Sequence, residues 1–319
     1  MADFKTYTAI GMREDLSNTI YNIAPTETPV VSSIGKTKAT ATYHEWQTDT
    51  LAAASAAGLV EGADAGAATD SPTVRVGNYT QIQGKVVHIS GTLDTVDKAG
   101  RKTETAYQLA KAGQELKRDM EKTVLGNVAK SAGNASTARL LGSIQTWLGT
   151  NFVTMTDGVA PVGSNGTAAR TAGATTAAFT EAKLKTLVKS CFDNGGNPTM
   201  LIVPPTQKQA VSEFAGIAVN RVTASPTKQA TIVAAADVYL SDFGMISIVP
   251  DRFMTPDDGA DGEQAILIDP AMVSIATLRP FQSNLLAKTG DSEKHQMLVE
   301  YTLQVNNEAA SGIVADLAA

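Results

Sequence analysis

From Leu51 to Asn78 the chain has no aromatic residue, and only Leu51, Leu59, Val60, Val74 and Val76 are larger apolar groups among its alanines and glycines. Fixing backbone costs about 1–2 kcal/mol per residue, and so few apolar side chains cannot repay that by burial. The stretch therefore builds no core of its own. It is mobile when alone, or it is held by contacts from outside its own chain. The flanks read differently. Thr40 to Asp49 is rich in β-branched and aromatic residues (Thr42, Tyr43, Trp46, Thr48), and Tyr79 to Thr92 carries Ile82, Val86, Val87 and Ile89. Both are predicted strands. Paired with each other, they form a hairpin with a long unsupported tip, a design that calls for a partner surface.

The next segment carries the strongest periodic signal. Ala106, Leu109, Gly113, Leu116, Met120, Val124 and Val128 recur at spacings of three and four, which places them on one helix face. Lys111, Glu115, Lys117, Arg118, Asp119, Glu121 and Lys122 form the wet side, with Lys111/Glu115 and Lys117/Glu121 at supportive i,i+4 spacing. Thr103 is the expected N-cap. A helix from Thr103 to Lys130 would be about 42 Å long, a structural spine or an ordinary long core helix. Ahead of it, residues 1–40 read as an arm punctuated by Pro25 and Pro29, helical only from Leu16 to Ile23.

Beyond the helix, Leu140, Leu141, Ile144, Trp147, Leu148 and Phe152 are the anchors of a Gly-, Ala- and Thr-rich region, and Asp157 to Ala178 reads as a surface excursion. Thr180 then opens a helix with Leu184, Leu187, Val188, Cys191 and Phe192 on one face, ended by Asn194-Gly195-Gly196. A buried strand, Met200–Val203, follows, and after Pro204-Pro205 a helix turns Ala210, Val211 and Phe214 inward. Val238–Leu240, Met245–Val249, Ala265–Ile268, Val273–Leu278 and Met297–Val305 are further predicted strands. The class is α+β, with no fixed-period repeat.

Charge and motifs remove most chemistry from consideration. A net charge of −6 with no long Lys/Arg run excludes a dedicated nucleic-acid binder. Cys191 is the one cysteine, so no intrachain disulfide exists, and its apolar-stripe position makes it a core residue, not a nucleophile. No signal-peptide core or membrane-length apolar run occurs. None of the 3 histidines, His44, His88 and His295, has a Cys or second His at metal-ligand spacing. His44-Glu45 fails as a metalloprotease motif because Thr48 stands where the second histidine belongs. Gly35-Lys36-Thr37 lacks the earlier glycine of a phosphate loop, with Val30 in its place. Asp257-Asp258-Gly259-Ala260-Asp261-Gly262-Glu263 is carboxylate-rich, but Gly259 replaces a ligand and Ile268 the bidentate Glu of an EF-hand. It reads as a solvated acidic loop. No catalytic, cofactor or metal residues are assigned, and no cofactor is expected.

Several stretches, in this order, resemble one family: Glu14–Ile20, Ala24–Pro29, Tyr43–Asp49, Ala99–Arg101, Glu115–Glu121, Tyr239–Gly244, Leu278–Phe281 and Leu286–Asp291. They look like the major capsid proteins of tailed bacteriophages, in particular of podoviruses similar to phage SU10. The resemblance implies an HK97-type capsid fold: an N-terminal arm at 1–40, an extended loop at 41–92, a spine helix and peripheral domain at 93–178, an axial domain at 179–264, and peripheral-domain strands with the C-terminus at 265–319.

It further implies a self-assembling subunit, not an enzyme, that forms homo-hexamers and homo-pentamers of an icosahedral head. The head encloses double-stranded DNA without sequence-specific binding, and no membrane is involved. The expected location is the virion shell, assembled in the host bacterial cytoplasm. Scaffold, portal and decoration proteins are expected partners, the scaffold being a separate protein or a precursor segment. Arg13 and Glu27 on the arm, Tyr43, Glu45 and Trp46 at the loop base, and Glu61 and Asp64 near its tip are the expected intersubunit contacts. Asp257, Asp258, Asp261 and Glu263 are expected on a loop at the capsomer axis. An encapsulin-like cargo compartment and a metal-dependent enzyme are the alternatives.

Overall fold

The computed structural model describes residues 27–58, 60–62, 64, 66, 72–96, 103–154, 157–214, 237–254 and 262–318. Two sheets share one long helix, α3 (Glu104–Leu125). The first sheet has four strands in the order β1 (Gly35–Lys38), β10 (Val273–Leu285), β11 (Ser292–Val305) and β4 (Gln81–Ser90). The second has six, in the order β5 (Phe152–Val153), β12 (Gly312–Ala318), β9 (Gly262–Ile268), β6 (Met200–Val203), β8 (Gly244–Pro250) and β7 (Val238–Ser241).

Strand alternation explains why the six-stranded sheet lies inside the molecule. Met200 and Ile202 of β6, with Ile266 and Ile268 of β9, enter one core beside α3, β10 and β11. Leu201 and Val203, with Ala265 and Leu267, face the opposite core beneath α4 (Glu181–Asp193) and α5 (Pro205–Ser212). Side chains of period two thus feed two hydrophobic layers, and both faces are covered at β6 and β9. Cys191 lies in the second layer, fully buried, as the helix stripe requires.

The spine helix is shorter than its apolar pattern. It stops at Gly126, because Val128 leaves the helical ladder: its N–H donates to Ser143 Oγ at 2.7 Å and its carbonyl accepts from Ser143 N at 3.0 Å. Val128 itself is exposed. At the other end Thr103 holds the N-cap position, but its side chain makes no capping bond. Asp94, on the short helix α2 (Gly91–Thr95), accepts from Glu104 N at 3.1 Å, placing a carboxylate at the positive end of the helix dipole.

Residues 29–39 do not hang free. Helix α1 (Pro29–Ser33) packs Val30 into the core, β1 runs parallel to β10, and Ile34 and Ala39 are buried. The excursion at 157–178 is also tighter than its composition. Arg170 and Asp316 are buried and pair at 3.6 Å, Arg170 Nε donates to Gln145 Oε1 at 2.7 Å, and Asp316 accepts from Gly173 N at 2.9 Å. Asp316 holds a left-handed backbone (φ 58°) at the irregularity in β12, which turns its carboxylate onto the excursion.

Candidate assembly surfaces

Strand β2 (Tyr43–Thr48) pairs antiparallel with β3 (Val74–Tyr79), in a register that sets Tyr43 opposite Tyr79 and Trp46 opposite Val76. This corrects the expected hairpin partner. Residues 81–90 instead join β11 and form the sheet edge over α3, so Thr80 marks a switch between two sheets. Alternation in the 74–79 segment is short and interrupted by Gly77, which hid it. Gly77 is needed for closeness: a Cβ there would lie 2.8 Å from His44 O and 2.9 Å from the Tyr43 ring.

The base of this hairpin is bolted to the body. Asn78, fully buried, donates to Gly142 O (3.0 Å) and Leu303 O (2.9 Å) and accepts from Gly142 N (2.8 Å), so its amide is satisfied. His44 Nε2 lies 2.9 Å from Gln304 Oε1. The Trp46 ring meets Trp147 at 5.4 Å. Lys130 Nζ sits 5.6 Å from the Tyr43 ring and 5.5 Å from the Trp147 ring, and donates to Gly77 O. Burial pushes the Lys130 amine below its ordinary value. A cleft of about 840 Å³ opens beside this base, lined by Tyr43, Arg75, Lys130, Trp147, Asn165 and Glu308, among others.

The tip is the opposite. Every described residue from Asp49 to Gly66 is exposed, Leu51 at 99% and Val60 at 78%. A base held by buried contacts thus projects a tip that the other described residues leave bare. Glu61 and Asp64 lie on that bare tip. Tyr43 and Trp46 are half-buried against their own chain, the Trp46 ring against Trp147, with its indole Nε1 buried and without a hydrogen-bond partner among the described residues. Glu45 is exposed and pairs with Arg75 across the hairpin. Glu27 is exposed just before α1, while Arg13 lies outside the described residues.

Of the four expected axis-loop carboxylates, Asp257, Asp258 and Asp261 also lie outside the described residues. Glu263 requires correction. It belongs to β9, is 7% exposed, and accepts from Gln207 Nε2 at 2.9 Å and Thr206 Oγ1 at 3.2 Å. Its place in a paired strand removes it from any loop.

One surface was missed. On the edge hairpin β7–β8, Val238, Leu240 and Met245 point outward, Leu240 opposite Met245 at 76% and 68% exposure, while Tyr239 and Ile246 point in. Phe192 stacks on Phe243 at 4.5 Å at the hairpin's end, both partly open to solvent. Exposed apolar clusters of this kind mark interaction surfaces. The signal was present in the alternation of Val238-Tyr239-Leu240, which puts two apolar side chains on whichever face Tyr239 avoids.

Among the described residues no group of three or more His, Cys, Asp or Glu side chains could hold a metal ion, and no helix is long and apolar enough to cross a membrane. A bolted hairpin with a bare tip, a spine helix and two sheets that share its core define the class: the HK97-type fold. Solved structures agree. The chain superposes on one from Mycobacterium phage Adephagia with a TM-score of 0.62 at 12% identity, covering 98% of each chain. It superposes on the capsid of a native GTA particle with a TM-score of 0.62 at 12% identity, covering 98% of this chain and 97% of that one. The encapsulin complex from Synechococcus elongatus shares the fold at a TM-score of 0.54 and 10% identity, covering 97% and 93%.

The family model described as SU10 major capsid protein matches residues 2–318, and the chain belongs to that family. Its members are structural proteins, not enzymes. A major capsid protein of Escherichia phage Phieco32 is 40% identical over 129 residues, a stretch that covers 40% of this chain and 37% of that relative's length.

Proposed function

We propose that this chain builds the icosahedral head of a tailed phage by forming homo-hexamers and homo-pentamers around double-stranded DNA, assembled in the bacterial cytoplasm with scaffold and portal proteins, with decoration proteins as further partners. The observation that carries the reading is the contrast within one hairpin, fixed at Asn78 and Trp46 but bare at every described residue from Asp49 to Gly66. A neighbouring copy supplies the burial that the tip lacks, and many modest contacts of this kind add up to a stable shell.

In this reading residues 1–40 act as the arm, 41–92 as the extended loop, 93–178 and 265–319 as the peripheral domain, and 179–264 as the axial domain. Arg13, Glu27, Glu61 and Asp64 meet neighbouring subunits. Glu45 does so by exchanging or sharing its Arg75 partner, while Tyr43 and Trp46 set the angle of the loop. Asp257, Asp258 and Asp261 line the capsomer axis. The outward face of β7–β8 is a further contact.

Replacing the tip with a short Gly/Ser turn tests this. The account expects a folded subunit that no longer closes shells; unaltered shells would refute the role of the tip. The contents of wild-type particles separate the phage head, which holds DNA, from an encapsulin-like compartment, which holds protein cargo.

A further inference from the structure

Three segments distant in sequence meet at one buried carboxyl group. Glu121, in the last turns of α3, is fully buried. Its Oε1 accepts from Val30 N at 2.7 Å and its Oε2 from Val31 N at 2.8 Å, so it caps the first turn of α1 from ninety residues away. Asp251 approaches the same carboxyl from the end of β8. It is 1% exposed, its backbone N–H donates to Val203 O at 2.9 Å, and its Oδ1 accepts from Phe253 N at 2.6 Å. Its Oδ2 is buried and finds no N–H or O–H donor among the described residues. A buried carboxylate oxygen without a donor is costly.

The charged surroundings do not neutralise the pair. Helix α1, Pro-Val-Val-Ser-Ser, has no ionisable side chain. On α3, Lys117 and Lys122 are on the exposed side, and the Arg118 guanidinium sits 5.5 Å from the Phe253 ring, with no ion pair to Glu121 or Asp251 within 4 Å among the described residues. Arg252, next to Asp251, is exposed. Two carboxylates sharing such a site cannot both ionise. A proton on Glu121 gives Asp251 Oδ2 its missing donor and leaves both Glu121 oxygens accepting from α1. Burial and the Asp251 carboxylate together push the Glu121 carboxyl up to about 8.

We propose that Glu121 and Asp251 share one proton that acts as a latch, fastening α1 of the N-terminal segment to the spine helix and to the six-stranded sheet, and that its loss frees α1. Deprotonation places two negative charges in a buried site, and separation is the available relief. Release of α1 withdraws Val30 from the core but leaves the strand pairing of β6 and β8 in place, since α1 is only Pro29–Ser33. The latch is a property of the subunit itself and does not depend on how subunits assemble.

The test compares the full wild-type chain with Asp251→Asn as unassembled subunits. In the variant, the new amide donates to an ionised Glu121 and its oxygen still accepts from Phe253 N, so no proton is needed. Infrared spectra would show the carbonyl stretch of a protonated carboxylic acid at neutral pH in wild type and not in the variant. Hydrogen exchange at Val30 and Val31, corrected for the intrinsic rate, would accelerate at least tenfold in wild type as pH rises from about 6.5 to about 9.5, and stay flat in Asp251→Asn. Absence of the acid band from wild type at neutral pH would overturn the latch, as would identical exchange profiles. If the variant does not fold, the wild-type band decides alone: it must disappear in step with the loss of protection.

Discussion

The Trp46 and Trp147 rings lie 5.4 Å apart at an interplanar angle of 33°, and this contact joins the projecting hairpin to the core of the subunit. Trp147 is 1% exposed and Trp46 is half-buried. Trp147→Ala should therefore cost about 3–5 kcal/mol of stability, as large-to-small core changes do. Trp46→Ala should cost less and act mainly on the angle of the hairpin. Urea unfolding of the two variants checks the order, and equal losses would show that the outer ring is as deeply held as the inner.

Removing one member of the buried Arg170–Asp316 pair should be worse than removing both. Arg170→Met strands a buried carboxylate and should destabilise by about 3–5 kcal/mol, whereas the double variant Arg170→Met, Asp316→Leu should recover part of that loss. The excursion at 157–178 should become the first segment cut in limited proteolysis of Arg170→Met.

Burial pushes the Cys191 thiol up to about 12. The thiolate is the reactive form, so Cys191 should resist alkylation at pH 8 until the subunit unfolds. Thiol titration with and without denaturant measures this.

The Glu121 carboxyl, raised from the ordinary 4.5 to about 8, also sets the sign of a pH effect on stability. The native state keeps a proton that the unfolded chain gives up, so the group's contribution is complete below about pH 4.5, declines as pH rises, and is lost by about pH 8. The slope should be about 1.4 kcal/mol per pH unit for one such group. Denaturant melts of wild type and Asp251→Asn isolate this group from the others.

Leu240→Lys or Met245→Lys should leave subunit stability within about 0.5 kcal/mol, since both side chains are already exposed. The same changes should reduce assembly yield, measured by sedimentation, because they place charge on the outward face of β7–β8.

Elements with long or clean periods were legible in the sequence. The part of the α3 stripe at Leu116, Met120 and Val124, the helix through Leu184 and Cys191, and the strand Met200–Val203 lie where the sequence pattern puts them. What escaped was set by distant partners. Strand β12 is buried on both faces, so Gly312–Ala318 shows no alternation to read. Strand β1 owes its existence to β10, more than two hundred residues away. The side-chain capping bond of α3 comes from Asp94 and not from the adjacent Thr103. Of the assembly surface, the bare tip was visible as missing apolar residues. The bolts at Asn78 and Lys130 were not, since a polar side chain carries no sign in sequence that it will be buried.

Electron microscopy of the purified chain, expressed alone and with a candidate scaffold protein, and sized by chromatography, decides whether it closes into shells. The account predicts closed icosahedral shells, or discrete pentamers and hexamers, in which the 49–66 tip lies on a neighbouring subunit. A stable monomer under every condition, with that tip ordered against its own chain, would contradict it.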